Sequence, residues 1–584
     1  MARISPTTYF HTLRYLRFGQ LVDRVKRNVY QPRADLSPPP AIRSPLRHWR
    51  APAKKAPSLV GPNRFRFLNE EHEIATPADW NSPTCAKLWL YNLHYFDDLN
   101  AAAASERTNW HRSLMVRWVR ENPPGAGNGW EPHPLSLRIV NWIKWALAGN
   151  DLPRTALESL AVQTRFLAER LEFHLLGNHL FANAKALVFA GMFFEGIEAD
   201  RWVNKGISVA RRELKEQVLA DGGHCELSPM YHGIVLEDLL DLINLIERCS
   251  IRSPALGFHT DVPQESHHQK RDTRYAVALV KASRQMIAWL RTLCHPDGQI
   301  ALFNDAAFGI APHPTELFAY AERLETRGGE GLALTQSSPG TNGVDTYSLG
   351  RVRVTHLRAS GYIRVENGPM TAILDVASIQ PAYQPGHSHA DTLSFEMSLS
   401  NHRVIVDSGT SIYQEGAARR RQRSTGAHNT VVIDGKDSSE VWGSFRMARR
   451  ARVLNLEIQE GPEGGVVVRC AHDGYRRLPG KPVHRREWHF REHSLEVRDR
   501  IEGRQTEAVG RFHFHPDVRV TLDRQGSAGT IESMHREKFR WRVVEGLGKV
   551  GDSEYHPEFG TAHPNQCIEL QLVSNVAHVV FEWQ

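Results

Sequence analysis

A chain of 584 residues has room for two large domains, or for about three to five ordinary ones. With 41% hydrophobic and 23% charged residues it has the composition of a folded globular protein, which excludes a disordered, collagenous or coiled-coil chain. Its 72 basic and 65 acidic side chains leave a formal charge of +7, too mild to demonstrate a polyanionic partner. No apolar run approaches the roughly 18 residues that a membrane span needs. The unusual count is 30 histidines, the commonest metal ligand, and no His run is present to explain them as a tag.

The first 33 residues lack the apolar core and small-residue cleavage site of a secretory leader. A cytoplasmic location is therefore expected, with export after trimming of a leader as the alternative. This segment is basic and carries Leu13, Leu16, Leu21, Val22 and Val25 at helical spacing. It predicts a surface helix packed on the body, with contact to a membrane surface or an acidic polymer as the alternative. Residues 34–62 are Pro-rich and predict a linker or wrapping arm, so 1–62 form an N-terminal unit. Cys85, Cys225, Cys249, Cys294, Cys470 and Cys567 are scattered without C-x-x-C pairs, the pattern of free thiols.

From residue 85 the pattern is helical. In 134–149, Leu135, Ile139, Trp142, Ile143 and Ala146 share one face and Gly149 is a stop signal. Further helices are predicted over 154–175, 178–193, 199–219, 231–249, 274–294 and 314–326, spaced as successive hairpins without βαβ alternation. Residues 327–346, rich in Gly, Ser and Thr, predict a linker or surface loop. Beyond it come short alternating segments rich in β-branched and aromatic residues, such as GYIRVENG, MTAILDVAS, GVVVRCAHDGY and HRREWHFREHSLEVRDRIEG. The predicted architecture is an α domain over 63–335 followed by an antiparallel β-sandwich over 345–584.

Two constellations could carry chemistry. One is Gly386-His387-Ser388-His389-Ala390-Asp391, with Val406-Asp407-Ser408-Gly409 and Gly426-Ala427-His428-Asn429 further on. Two His and an Asp suit zinc or manganese, and His389, Asp407 and His428 make the better trio, leaving His387 free. Hydrogen-bonded histidines in a turn are the plain alternative. The other is Gly177-Asn178-His179, opening a helix, with His224-Cys225-Glu226-Leu227-Ser228-Pro229-Met230-Tyr231-His232 entering another. Taken alone, Asn178 reads as a helix cap and Tyr231 as a packing tyrosine.

These pieces resemble the heparinase II/III family of polysaccharide lyases, in family order over about residues 85–450. The resemblance is carried by Trp89-Leu90-Tyr91-Asn92-Leu93-His94-Tyr95-Phe96, Ser136-Leu137-Arg138-Ile139-Val140-Asn141-Trp142, Gly177-Asn178-His179, Glu226-Leu227-Ser228-Pro229-Met230-Tyr231-His232, Phe303-Asn304-Asp305 and Gly386-His387-Ser388-His389-Ala390-Asp391. It implies an incomplete (α/α) toroid followed by an antiparallel β-sandwich. It implies that Asn178 and His179 neutralise a substrate carboxylate, that Tyr231 and His387 are catalytic, and that His389, Asp407 and His428 hold one structural divalent metal. His94, Arg138, Glu226, Tyr413 and Arg423 lie in or near matching segments and are candidate substrate contacts. The run Arg419-Arg420-Arg421-Gln422-Arg423 could face an anionic polymer, and Trp130 and Tyr95 could stack on sugars.

The implied reaction is β-elimination on a uronate-containing anionic polysaccharide, with glycosaminoglycan ahead of alginate. A base removes the C5 proton, donors stabilise the enolate-like carboxylate, and an acid protonates the departing O4. A uronyl C5-epimerase and a non-catalytic polysaccharide-binding protein are the alternatives. No nucleic-acid-binding module is recognisable. The oligomeric state is not legible.

Overall fold

The computed structural model describes residues 5–43, 49–248, 269–325, 343–534 and 538–583. Most of the predicted linker (327–342) and Cys249 lie outside the described residues; the five described cysteines are all free.

Helices α1 (Pro6–Leu13) and α2 (Phe18–Val29) run along the outside of the molecule. They are surface helices packed on the body, as expected, but not through their apolar stripe. Leu13, Leu21, Val22 and Val25 are exposed, and α2 docks through its polar side. Gln20 is buried and donates to His174 O at 3.3 Å, while Arg27 donates to Arg170 O and Leu171 O at 2.6 and 2.8 Å. The arm that follows bridges Ile42 to Phe194 and ends in a strand, Leu59–Gly61. That strand opens a three-stranded antiparallel sheet with Arg64–Phe67 and Glu70–Glu73. The sheet was not anticipated, because a segment such as Glu70-Glu71-His72-Glu73 has no apolar alternation to signal it.

The helical half comprises Lys87–Tyr95, Thr108–Glu121, Pro132–Leu147, Arg154–Glu169, Gly177–Phe193, Ile197–Gln217, Pro229–Arg248, Gln269–Thr292 and Pro314–Glu325. They follow one another as hairpins in an incomplete toroid. Gly177–Phe193 is buried along almost its whole length and packs between Pro132–Leu147 and Ile197–Gln217. Two glycines permit that approach. A Cβ on Gly191 would lie 2.5 Å from Ala199 O, and one on Gly206 would lie 2.8 Å from Ala184 O. The helix predicted over 154–175 stops at Glu169. The following turn is held by Asn183, whose Oδ1 accepts from Glu172 N at 2.8 Å, and it ends with Leu176 and Gly177 at φ 64° and 57°.

Among the described residues, every ladder between strands of the β half is antiparallel. A six-stranded sheet runs in sequence order from Val344–Leu349 to His402–Ile405, and an eight-stranded sheet and a four-stranded sheet complete the sandwich. The strand Met370–Asp375 is buried at every position. Its Ala372 and Leu374 face the sandwich core with Trp488, Val497 and Phe581, while Ile373 packs with Leu227, Trp289 and Phe303 of the helical half. One sheet is therefore covered on both sides, so in MTAILDVAS the expected alternation is blurred, with Ala372, Ile373 and Leu374 apolar on both faces of the strand.

Candidate active site

A cleft of about 1130 Å³ lies where the two halves meet, and the N-terminal helices form part of its wall. It is lined by Asn178, His179 and Tyr231 from the toroid and by His387, Tyr413 and Arg421 from the β half.

Local sequence places each group. Asn178 sits in the first turn of Gly177–Phe193. Gly177 is required there, because its φ is 57° and a Cβ would lie 2.6 Å from Glu226 Oε1. Asn178 Nδ2 donates to both oxygens of Glu226, at 3.1 and 3.0 Å. His179 Nδ1 lies 3.2 Å from Glu172 Oε1, and its ring stacks on His133 with centroids 4.1 Å apart. Tyr231 is set by a helix start: Ser228 Oγ accepts from Tyr231 N at 3.3 Å and donates to Asp305 O at 2.6 Å, with Pro229 as the first helical residue.

His387 meets Tyr231 face to tilted face, with centroids 4.0 Å apart and ring planes 35° apart. The phenol oxygens of Tyr231 and Tyr413 are 3.1 Å apart. His387 Nδ1 lies 2.9 Å from Asp305 Oδ2, which leaves Nε2 as the ring nitrogen available for proton transfer, 4.0 Å from Glu226 Oε2. Asp305 is fully buried and also receives both Nη groups of Arg419 and, at 2.7 Å, His389 Nε2. Leu227 and Asn304, beside these groups, take φ of 56° and 59°, positions of backbone strain at the junction of the two halves.

The electrostatics divide the roles. Burial, reinforced by the charges of Asp305 and Glu226, pushes the Tyr231 phenol well above the ordinary tyrosine range, so it stays protonated near neutrality. Tyr413 is raised in the same way, by burial and by Asp305. Burial opposes the charge on His179, but Glu172 outweighs it and holds the imidazole above its ordinary value. Burial likewise works against the Glu172 carboxylate, yet His179 brings it down to about 2.

Several predicted substrate contacts are corrected. His94 is fully buried in an aromatic cluster, with Nε2 3.0 Å from Trp80 O and Nδ1 accepting from Trp118 Nε1 at 3.0 Å. Burial drives it down to about 3, so it is a neutral core histidine. Arg138 is also fully buried, stacked 3.8 Å over Trp118 and donating to His94 O and Gly129 O. Trp130 is a core residue as well, whereas Tyr95, though largely covered, does line the cleft. Arg423 is buried and donates to Ser388 O at 2.7 Å and Ser444 O at 2.9 Å, so it braces the loop that carries His387. Glu226 is covered and acts on Asn178. In the basic run Arg419 is buried against Asp305, and Arg421 lines the cleft paired with Glu554.

His389 and His428 lie side by side, with ring centroids 5.3 Å apart, and His428 Nδ1 is 2.8 Å from Asp407 Oδ2. His389 Nδ1 and His428 Nε2 are both buried without a partner. Three buried carboxylates share this region. Burial raises Asp407 to about 6, burial with repulsion from Asp391 and Asp407 raises Asp375, and burial raises Asp391 against the pull of His428. Orphan imidazole nitrogens beside buried carboxylates are donors of the kind a divalent cation takes, but the ligand atoms of His389, Asp407 and His428 do not all lie within 4.8 Å of one another, and His428 turns Nδ1, not its orphan Nε2, toward Asp407. Among the described residues, one group of three brings its ligand atoms within 4.8 Å of one another, and it lies elsewhere, at His133, Glu172 and His179. Stacked rings do not direct two in-plane lone pairs at one ion, so that group is better explained by the Glu172–His179 pair.

Sequence reasoning missed the part played by Asp305, Arg419 and Glu172. Asp305 lay within a quoted motif, but nothing in one dimension showed that it joins His387, His389 and Arg419.

Comparison with known proteins agrees with this architecture. Residues 144–310 match the model for the heparinase II/III N-terminus, and residues 350–581 match the heparinase II/III-like C-terminal model. A heparin-sulfate lyase of Bacteroides stercoris is 24% identical over 366 residues, 60% of this chain and 47% of its own length. The chain thus spans about half the length of the curated lyases it matches. FtsZ-localized protein C of Caulobacter vibrioides is 23% identical over 78% of this chain and 74% of its own. Among solved structures, heparinase III superposes with a TM-score of 0.63 at 16% identity, covering 99% of this chain and 93% of that one. A heparan sulfate lyase mutant from Pedobacter heparinus superposes at 0.54 and 17%, covering 96% and 87%. The toroid, the sandwich and both domain matches in family order make this chain a member of the heparinase II/III-like family.

Proposed function

We propose that the protein is a polysaccharide lyase that breaks a uronate-containing anionic polysaccharide by β-elimination. The observation that carries this is the contact of Tyr231 with His387 beside Asn178 and His179 in one cleft. His387, its Nδ1 held by Asp305, takes the C5 proton at Nε2. Asn178 and protonated His179, at a helix N-terminus, neutralise the carboxylate as the enolate forms. Tyr231, neutral at working pH, donates its proton to the departing O4 while the C4–O4 bond breaks and the C4–C5 double bond forms. Tyr413 hydrogen-bonds the Tyr231 oxygen and orients that donor.

Because Tyr231 and His387 touch, base and acid stand on the same side of the sugar. In D-glucuronate the C5 hydrogen and O4 share one face, whereas in L-iduronate they lie on opposite faces. The arrangement therefore favours glucuronate in a glycosaminoglycan such as hyaluronan, chondroitin or heparan sulfate. Heparin-sulfate lyases among the relatives support that substrate class. We also propose one structural divalent cation, zinc or manganese, held by His389, Asp407 and His428. When bound it supplies positive charge to the buried carboxylates and pins the loops beside His387.

The test is ultraviolet detection of unsaturated uronate over a panel of hyaluronan, chondroitin sulfates, dermatan sulfate, heparan sulfate, heparin and alginate. Activity on glucuronate polymers, lost in Tyr231→Phe, is expected. Deuterium exchange at C5 without cleavage would move the reading to an epimerase. A second reading, a non-catalytic binding protein, draws on the Caulobacter relative, whose name gives a cellular position and which aligns over more of both chains than the B. stercoris lyase does. Polymer binding without turnover, unchanged in Tyr231→Phe, would favour it.

A further inference from the structure

We propose that the outward face of α1 and α2 is a docking surface for an anionic lipid layer, on which the protein lies without crossing it. In α2, Phe18, Leu21, Val22, Val25 and Val29 fall at the spacing of one helical stripe, and that stripe is turned to water. Phe18 and Val29 are each 80% exposed and Val25 64%, and α1 adds Phe10 at 64% and Leu13 at 53%. A helix that merely covers a soluble body turns this stripe inward.

The orientation is fixed by bonds on the opposite side. Besides Gln20 and Arg27, Asp23 Oδ2 accepts from His174 N at 3.0 Å, and Arg17 pairs with Glu216 at 2.5 Å. In α1, Thr8 donates to Glu440, Thr12 Oγ1 accepts from Trp442 Nε1 at 2.9 Å, and Tyr9 packs edge-on against Trp442. The pair of helices is thus tied to the toroid at one end and to the β half at the other. Rotating the stripe inward would break every one of these contacts.

Charge selects the occupant. From Ser5 to Ala34 the chain carries Arg14, Arg17, Arg24, Lys26, Arg27 and Arg33 against one carboxylate, Asp23, which is turned to the body. Arg14, Lys26 and Arg33 are exposed beside the stripe. A second copy of this face would bring like charges together. An anionic polysaccharide would satisfy the cations but leave Phe18, Val25 and Val29 wet. A lipid layer with anionic headgroups satisfies both, cations at the headgroups and apolar side chains at the acyl boundary. Among the described residues no helix is long and apolar enough to cross a membrane, so the contact is interfacial. Thr12, Leu16, Gln20 and Arg24 line the cleft from the other side of the same helices, so the docked helices would stand between the lipid surface and the cleft.

The test is co-sedimentation of the full chain with vesicles of phosphatidylcholine alone and of phosphatidylcholine mixed with phosphatidylglycerol, at low and high salt. Pelleting with the anionic vesicles, weakened by salt, is expected. The triple variant Phe18→Ser, Val25→Ser, Val29→Ser alters only exposed side chains. It should keep the circular dichroism spectrum and melting temperature while binding at least about tenfold more weakly. Arg14→Glu with Lys26→Glu should lose the preference for anionic vesicles. Wild-type protein left in the supernatant with anionic vesicles, or equal pelleting of the triple variant, overturns the proposal. So does a concentration-dependent dimer abolished by the triple variant, which would assign the face to a second copy.

Discussion

Tyr231 and His387 come from different halves of the chain and meet with ring centroids 4.0 Å apart. Neither half holds both members of the proposed acid–base pair, and the cleft is lined by residues of both the toroid and the sandwich. Replacing Tyr231 by Phe removes the proton donor and keeps the ring contact. We expect kcat to fall by about 10²- to 10⁴-fold with a small change in KM and an unchanged melting temperature. His387→Ala should lose at least as much. Steady-state kinetics on a glucuronate polymer measure both, and near-wild-type turnover in Tyr231→Phe would rule out its role as acid.

The Glu172–His179 pair sets a pH dependence. His179 is held above its ordinary value, so carboxylate neutralisation is complete at lower pH and is lost as pH rises through that raised value. The stability this adds is present below the ordinary histidine range and disappears over the same rise. Glu172, held at about 2, adds stability that is complete above the ordinary 4.5 and is lost as pH falls toward 2. Glu172→Gln should therefore move the alkaline limb of kcat/KM to lower pH. An alkaline limb that does not move would separate His179 from it.

Asp305 and Arg419 form a fully buried pair. Asp305→Asn leaves the guanidinium without a counter-charge and loosens His387 and His389 together. The expected loss is about 3–5 kcal/mol of unfolding free energy, read by urea titration, with activity falling alongside. Arg421→Gln breaks the exposed pair with Glu554 and should cost no more than about 1 kcal/mol. Similar losses in the two variants would contradict the weight placed on burial.

Elemental analysis should find about one equivalent of divalent metal, retained at His389, Asp407 and His428. Chelation should lower melting temperature and activity together, and His428→Ala should reproduce both effects. Metal-free protein that melts and turns over as before would end the structural role.

Periodicity alone separated the helical half from the β half, because a stripe at helical spacing and an alternation of two are local properties of the chain. It recovered strands such as Tyr362–Asn367 and Val466–His472. It missed Leu547–Tyr555, where Gly and exposed polar residues dilute the alternation, and it passed over Val453–Glu460 although VLNLEIQE alternates. The roles expected of Asn178, Tyr231 and His387 came from the family resemblance of their motifs, because read alone Asn178 is a helix cap and Tyr231 a packing tyrosine. What only the tertiary structure decided is which surface each face meets. His94, Arg138 and Arg423 look like cleft residues in one dimension and are buried supports in three. Asp305 gains its meaning from Arg419, His387 and His389, all distant in sequence. The stripe on α2 was visible from the start, but periodicity records that a face is apolar, and only packing decides whether protein or solvent lies against it.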